Sequence, residues 1–259
     1  MFNRQTGPTF IIIGAQKCGT TSLWGYLNQH PEIQMCATKE LHYFLRELNN
    51  PQYPYPNHAW YNSQFPSGCV TGEATPSYCF WPGVIERIYD YNPHIKLIML
   101  LRNPVQRALS HYWMEFQRGK ENLPILQAMI AETRRIAFQD KDQLYYHSYI
   151  SRGQYAEQLD TIYAHFPPDN VHVILLEDLQ EQPDNVMKKV CKFIGVDSTF
   201  RFDVSTIYRK GTYPLSDNNV IEYLRYRFEL SNKELANRYG FDYTSTGAKH
   251  ENRPLSKLV

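Results

Sequence analysis

The sequence predicts an α/β fold built on a mainly parallel sheet, and three observations lead there. Short apolar runs of strand length alternate with segments of helical periodicity. The first such run, Thr9–Ile13, passes through Gly14 into a glycine loop and then a helix. The second, within "IKLIMLLRNP", runs into Arg102-Asn103-Pro104 and a further helix.

Each element has a local reason. Thr20 to Gln29 reads as a helix, with threonines at its start, Leu23 and Leu27 four apart, and Pro31 as its stop. "MCATKELHYFLRELNN" reads as loop and short helix, and residues 51–66, rich in proline and aromatics, as an irregular surface segment. "GVIERIYDYNP" is a helix ended by Pro93. Asn103 as N-cap and Pro104 at the first helical position open the helix "VQRALSHYWMEFQ". Further helices are expected over Leu123–Phe138 and Gln154–His165. "VHVILLEDL", Val171 to Leu179, is a third apolar strand, followed by "PDNVMKKVCKFIG" as a helix with Gly195 at its C-terminal stop. "IYRKGTYPLSD" is a loop, and two amphipathic segments follow, Asn218–Phe228 and Ser231–Tyr239.

At 259 residues the chain suits one domain, residues 1–259, with C-terminal helices at about 218–240 packed on it and a tail at 241–259. Its 42% hydrophobic and 20% charged content is that of a globular rather than a disordered protein. Lysine plus arginine (27) nearly cancel aspartate plus glutamate (26), which leaves no electrostatic footprint for nucleic acid. No apolar run approaches a membrane span, and the N-terminus lacks a signal-peptide core. Cys18, Cys36, Cys69, Cys79 and Cys191 form neither a CxxC pair nor a disulfide framework, so a reducing cytoplasm and no metal site are expected.

In open parallel sheets ligands bind beyond the carboxyl ends of strands, where Gly14–Thr21, Arg102 and Glu177/Asp178 all fall. "GAQKCGTT" has the glycine spacing of a phosphate loop, but Thr20 stands where a nucleotide-hydrolysing loop has its lysine, and a lysine comes earlier, at Lys17. Gly14 and Gly19 let backbone amides approach an anion, and Thr20, Thr21 and Ser22 add three hydroxyls at a helix N-terminus. Arg102 at a strand end offers a guanidinium fork suited to phosphate, and Ser110 lies about two turns into the next helix. On these residues alone a magnesium-dependent kinase, with Glu177 or Asp178 holding the metal, also fits.

Together these segments resemble the sulfotransferases that use 3′-phosphoadenosine 5′-phosphosulfate (PAPS), closest to their heparan-sulfate-type and bacterial branch. "FIIIGAQKCGTTSLWGYLNQHP" is similar to the family's 5′-phosphosulfate loop, and "IKLIMLLRNPVQRALSHYWM" to its 3′-phosphate-binding strand, loop and helix. "KELHYF", "GEATPSYCFWP", "SRGQYAEQLDTIYAHFP", "VHVILLEDL" and "RKGTYPLSD" follow in order, so the resemblance spans roughly residues 9–240.

The resemblance implies a P-loop-like three-layer fold and a metal-independent transfer of sulfonate from PAPS to an acceptor hydroxyl, with PAP as product. By it, Gly14, Gln16, Cys18, Gly19, Thr20, Thr21 and Ser22 hold the 5′-phosphate, and Lys17 stabilises charge on the leaving phosphate. Arg102 and Ser110 hold the 3′-phosphate, with Lys210, Gly211, Thr212 and Tyr213 folding over the nucleotide and Arg209 as an added candidate. Glu40 matches the catalytic base, and His42 is its orienter or rival. Were "KELHYF" extended, Glu40 and His42 would share one face. Lys39 is a candidate sulfonate contact, and Glu73, Thr75 and Tyr78 candidate walls of the acceptor pocket. Ala74 stands where relatives acting on heparan chains often carry a lysine, which argues against a polyanionic acceptor. A sugar, a small alcohol and a carrier-bound hydroxyacyl chain all fit as acceptors. The alternatives are a P-loop nucleotide kinase and a nucleotide-binding protein without catalysis.

Overall fold

The computed structural model describes residues 7–48, 56–137, 140–205, 217–244 and 249–250. In chain order the elements are β1 (Phe10–Gly14), α1 (Thr20–Leu27), β2 (Ile33–Met35), α2 (His58–Asn62), β3 (Val70–Ala74), α3 (Val84–Tyr91), β4 (Lys96–Leu101), α4 (Pro104–Gln117), α5 (Ile125–Ala137), α6 (Lys141–His147) and α7 (Tyr155–Tyr163). Then come β5 (Val171–Leu175), α8 (Leu176–Glu181), α9 (Pro183–Ile194), α10 (Asn218–Tyr239), β6 (Phe241–Asp242) and β7 (Lys249–His250). The chain divides into two compact units, Met1–Leu101 with Thr161–Lys210, and Arg102–Asp160 with Gly211–Val259.

The first unit holds the sheet. Its five strands run in the order β2-β3-β1-β4-β5, and every neighbouring pair is parallel. β1 and β4 lie inside the sheet, which is why they read as unbroken apolar runs: Phe10 to Ile13 and Leu97 to Leu101 are wholly inaccessible to solvent. Each such side chain contributes about 1.5–3 kcal/mol by burial, as an upper estimate. α1 packs on β1 and α9 on β5. α9 stops as expected at Gly195, whose φ of 86° is left-handed.

β2 and β3 are strands that the sequence did not announce. β2 has only three residues, and β3 places Glu73 in a buried strand. The strand expected over Val171–Leu179 ends at Leu175, so Glu177 and Asp178 sit in the first turn of α8.

The second unit is mainly helical, with β6 and β7 as a short antiparallel pair. Asn103 caps α4 as expected: its Oδ1 accepts from the amides of Val105 (3.1 Å) and Gln106 (3.2 Å), and Pro104 needs no donor at the first position. Ala108, Tyr112, Met129, Tyr149, Leu224 and Phe228 form its buried core. The two amphipathic segments expected at the C-terminus are one helix, α10. Val220, Leu224, Phe228, Asn232, Leu235 and Tyr239 are buried at spacings of three and four, so one apolar stripe continues through Ser231. α6 is an element the sequence did not announce; Asp140 caps it by accepting from the amide of Gln143 at 2.9 Å.

Candidate functional site

The site begins where β1 ends. Ala15 donates its amide to the carbonyl of Leu100 at 2.8 Å, which ties the glycine loop to the end of β4. A Cβ on Gly14 would collide with the sulfur of Cys79, so the loop's first residue has no room for a side chain. Gly19 is constrained twice: its φ is 84°, and a Cβ would lie 2.5 Å from Leu176 Cδ1. It is also the N-cap of α1, and a glycine brings no side chain to that helix end. Thr20, Thr21 and Ser22 stand in the first turn, with Thr20 and Ser22 buried and Thr21 half-buried. Cys18 is buried, and its amide donates to Ala15 O at 3.1 Å. Gln16 and Lys17 are half-buried, and Lys17 has a left-handed φ of 71°. Hydroxyls, a helix N-terminus, one ammonium and a cradle that a Cβ would fill make a donor set for an anionic group, and the residues present fit the phosphosulfate end of a nucleotide.

β3 is the parallel neighbour of β1, with Ile12 paired to Ala74. The chain leaving β3 stays beside the loop: Thr75 donates its amide to Ile12 O at 3.1 Å, and Cys79 to Ile13 O at 2.9 Å. Glu40 is fastened to the same end, its amide donating to Ala74 O at 2.9 Å. Its carboxylate accepts from Lys39 Nζ at 2.6 Å through Oε1, while Oε2 lies 3.8 Å from His42 Nε2. The Glu40 side chain is 39% exposed, against 17% for Lys39 and 16% for His42. Of the three, the carboxylate is the most open to a reactant.

The pleat expected to align Glu40 with His42 is not how they meet. Glu40 and His42 both have left-handed backbones, with φ of 63° and 53°, and the segment is irregular, closing in a turn at Tyr43–Phe44. Side chains two apart come together because two unusual residues fold the chain back. Glu73, Thr75 and Tyr78, expected as acceptor contacts, are placed differently. All three are buried and hydrogen-bonded to one another, with Glu73 accepting from Thr75 Oγ1 at 2.7 Å and from Tyr78 OH at 2.8 Å. They present no side-chain surface to a ligand.

In the second unit Arg102 is half-buried and directly follows β4 in the chain; its carbonyl accepts from Tyr155 OH at 2.9 Å. Ser110 is buried on α4. Arg209, Lys210, Gly211, Thr212 and Tyr213 lie outside the described residues. This unit also has a cavity of ≈ 670 Å³ lined in part by Asn103, Leu109, Arg225, Tyr226, Lys233 and Tyr243. None of the residues expected at the reaction centre borders it. Among the described residues no helix is long and apolar enough to cross a membrane.

Residues 8–218 match the model of the sulfotransferase domain. The chain is 39% identical over 115 residues to a membrane-associated sulfotransferase, kil1, of Dictyostelium discoideum, covering 44% of this chain and 24% of that protein. It is 30% identical over 192 residues to the mouse heparan sulfate glucosamine 3-O-sulfotransferase 3B1, covering 73% of this chain and 46% of the relative. The chain thus spans half or less of the length of these curated relatives. Among solved structures, a sulfotransferase from Alicyclobacillus acidocaldarius is 31% identical with a TM-score of 0.76, covering 89% of this chain and 94% of that one.

Proposed function

The chain belongs to the sulfotransferase domain family, and on that premise we propose that it moves a sulfonate from PAPS to a hydroxyl of an acceptor, releasing PAP. The reading is supported above all by two neighbouring strand ends: β1 leads into an anion loop, and the end of β3 fastens the Lys39–Glu40–His42 cluster beside it. When bound, PAPS supplies an activated sulfonate whose leaving group is a phosphate. Gly14, Gln16, Cys18, Gly19, Thr20, Thr21 and Ser22 hold that phosphate end, and Lys17 offsets the negative charge that grows there. In the second unit Arg102 and Ser110 are the residues for the 3′-phosphate. Glu40 accepts the proton of the acceptor hydroxyl as the new sulfur–oxygen bond forms, and His42 orients the carboxylate. Lys39, bonded to Glu40 Oε1, restrains the carboxylate and is a contact for the sulfonate. The acceptor carries a hydroxyl on a sugar, a small alcohol or a carrier-bound chain. Five free cysteines suit a reducing compartment, and the cytoplasm is the location proposed.

The test is thermal unfolding with PAP against ATP plus magnesium. PAP at about 100 times its Kd is expected to add roughly 2.7 kcal/mol. Arg102→Ala is expected to weaken PAP more than it weakens the analogue lacking the 3′-phosphate. Stabilisation by ATP with magnesium and none by PAP would overturn the proposal in favour of a nucleotide kinase. Binding of PAP with no transfer to any class of acceptor would favour a nucleotide-binding protein.

A further inference from the structure

Glu73 is a second carboxylate at the end of the sheet that carries Glu40, and it faces inward. It is wholly buried, and its hydrogen-bond partners are hydroxyls rather than cations. Thr75 Oγ1 and Tyr78 OH donate to Oε1, and Tyr61 OH donates to Oε2. A hydroxyl has one proton. With that proton committed to Glu73, only lone pairs remain to face the other way.

Those lone pairs meet the segment that bears the proposed base. Thr75 Oγ1 accepts from the amide of His42 at 3.4 Å, and Tyr78 OH accepts from the amide of Phe44 at 3.4 Å. The third donor, Tyr61, stacks on Tyr43 with ring centroids 4.2 Å apart and planes 6° from parallel. Each partner of Glu73 therefore touches one of three successive residues, His42, Tyr43 and Phe44. The amide of Glu40 rests on Ala74, the residue between Glu73 and Thr75. A turn with two left-handed non-glycine residues is costly and persists only where its surroundings hold it.

We propose that Glu73 is a positioning residue: by fixing the hydroxyls of Thr75, Tyr78 and Tyr61 it holds the Glu40–His42 turn in the shape that brings those two side chains together. The inference rests on the reading of Glu40 as the base. Burial raises the Glu73 carboxyl above its ordinary range despite the hydroxyls of Tyr61, Thr75 and Tyr78, so a charge there is held at a cost. A carboxylate kept only for packing would be matched or bettered by an apolar side chain of its size.

The experiment compares Glu73→Gln, Thr75→Val, Tyr78→Phe, Thr75→Ser and Glu40→Gln in the full chain. Three quantities are measured: amide hydrogen exchange across residues 39–45, affinity for PAP by calorimetry, and single-turnover transfer from labelled PAPS to a panel of sugar and small-alcohol acceptors. A glutamine at 73 turns an amide donor towards hydroxyls that already donate, so at least one must swing away. Glu73→Gln and Thr75→Val are expected to speed exchange across residues 40–44 by about tenfold, the loss of one hydrogen bond's protection. Transfer is expected to fall about 100-fold, as for a small misplacement of a catalytic group, with PAP affinity unchanged. Thr75→Ser, which returns the hydroxyl, brings exchange and rate back towards the native values. Native exchange across 40–44 in both Glu73→Gln and Thr75→Val overturns the anchoring. Should Glu73→Gln fail to fold, Thr75→Val and Tyr78→Phe decide, since each removes one hydroxyl and keeps the shape. Glu40→Gln separates the two readings. If it transfers at the native rate the base is wrong, and exchange still judges the anchoring; if it is inert while Thr75→Val is fully active, the base stands and the positioning role falls.

Discussion

Glu73 in the first unit and Glu121 in the second are both buried carboxylates, and they are accommodated by opposite means. Glu121 is buried too, but Arg135 grips it with both terminal nitrogens, Nη2 at 3.1 Å from Oε1, and the amides of Asn122 and Leu123 each donate at 2.9 Å. Tyr149 OH also donates at 2.9 Å, and His147 Nε2 lies 3.9 Å from Oε2. Burial alone would raise this carboxyl; Arg135, the Leu123 amide and Tyr149 together bring it down to about 2. Around Glu73 burial prevails over Tyr61, Thr75 and Tyr78, and the carboxyl stays above its ordinary range. A guanidinium neutralises a buried charge and turns it into a clamp. Hydroxyls leave the charge costly but transmit direction, because each passes its lone pairs on to a further donor. The clamp stabilises; the directed shell shapes the turn that carries Glu40.

The comparison can be broken at several points, the largest effect first. Glu40→Gln is expected to lower the transfer rate by about 10²–10⁴-fold while PAP still binds, the range for loss of a positioned base; pre-steady-state transfer from PAPS reads this directly. Glu121→Gln is expected to cost roughly 3 kcal/mol near neutral pH, a fall of roughly 10 °C in melting temperature, with PAP affinity intact. Because the folded-state value is depressed, that stabilisation is present above the ordinary value of 4.5 and is lost as the pH falls towards about 2. Urea titrations of native protein and Glu121→Gln should therefore converge below that range; a constant gap would contradict the clamp.

Glu73→Gln should show the opposite pH sense and a smaller change at neutrality. A raised carboxyl contributes stability that is full below 4.5 and lost as the pH rises through the folded-state value. The variant is then closest to, or above, the native protein at neutral pH and falls behind it in acid. A gap that widened in favour of the native protein with rising pH would mean that Glu73 is clamped like Glu121. Smallest of all is Lys233→Ala, which removes an exposed i,i+4 pair with Glu229 on α10 and is expected to leave the melting temperature where it was.

What could be read in advance follows the same division between local and distant causes. β1, β4 and the Asn103-Pro104 start of α4 carry their reasons within a few residues: continuous apolar runs and a capping side chain. β3 does not. Glu73 looks foreign to a buried strand until Tyr61, twelve residues away, and the turn after the strand supply its hydroxyl partners. The left-handed backbone of Glu40 has no local signal either and that of His42 only a weak one, histidine being a residue that tolerates positive φ; what holds them comes from residues 74 to 78. α10 was divisible on paper because Ser231 and Asn232 interrupt its composition, yet the spacing of its buried residues runs straight through them. The motif thus singled out Glu40 as the residue proposed for the base, and not the backbone that orients it.

The pairing of β1 bears on how the chain acquires its structure. Phe10 is matched to Gly72 on one side and Lys96 on the other, and among the described residues nothing nearer in the chain pairs with it. On a ribosome, which releases the N-terminus first, five apolar-lined positions of β1 emerge long before either neighbour exists. Sheet formation must await at least the synthesis of residue 74, and non-local parallel pairing of this kind is slow to form. The strand that leads into the anion loop is therefore the one whose edges stay open longest during synthesis, and a nascent-chain chaperone has its clearest task there.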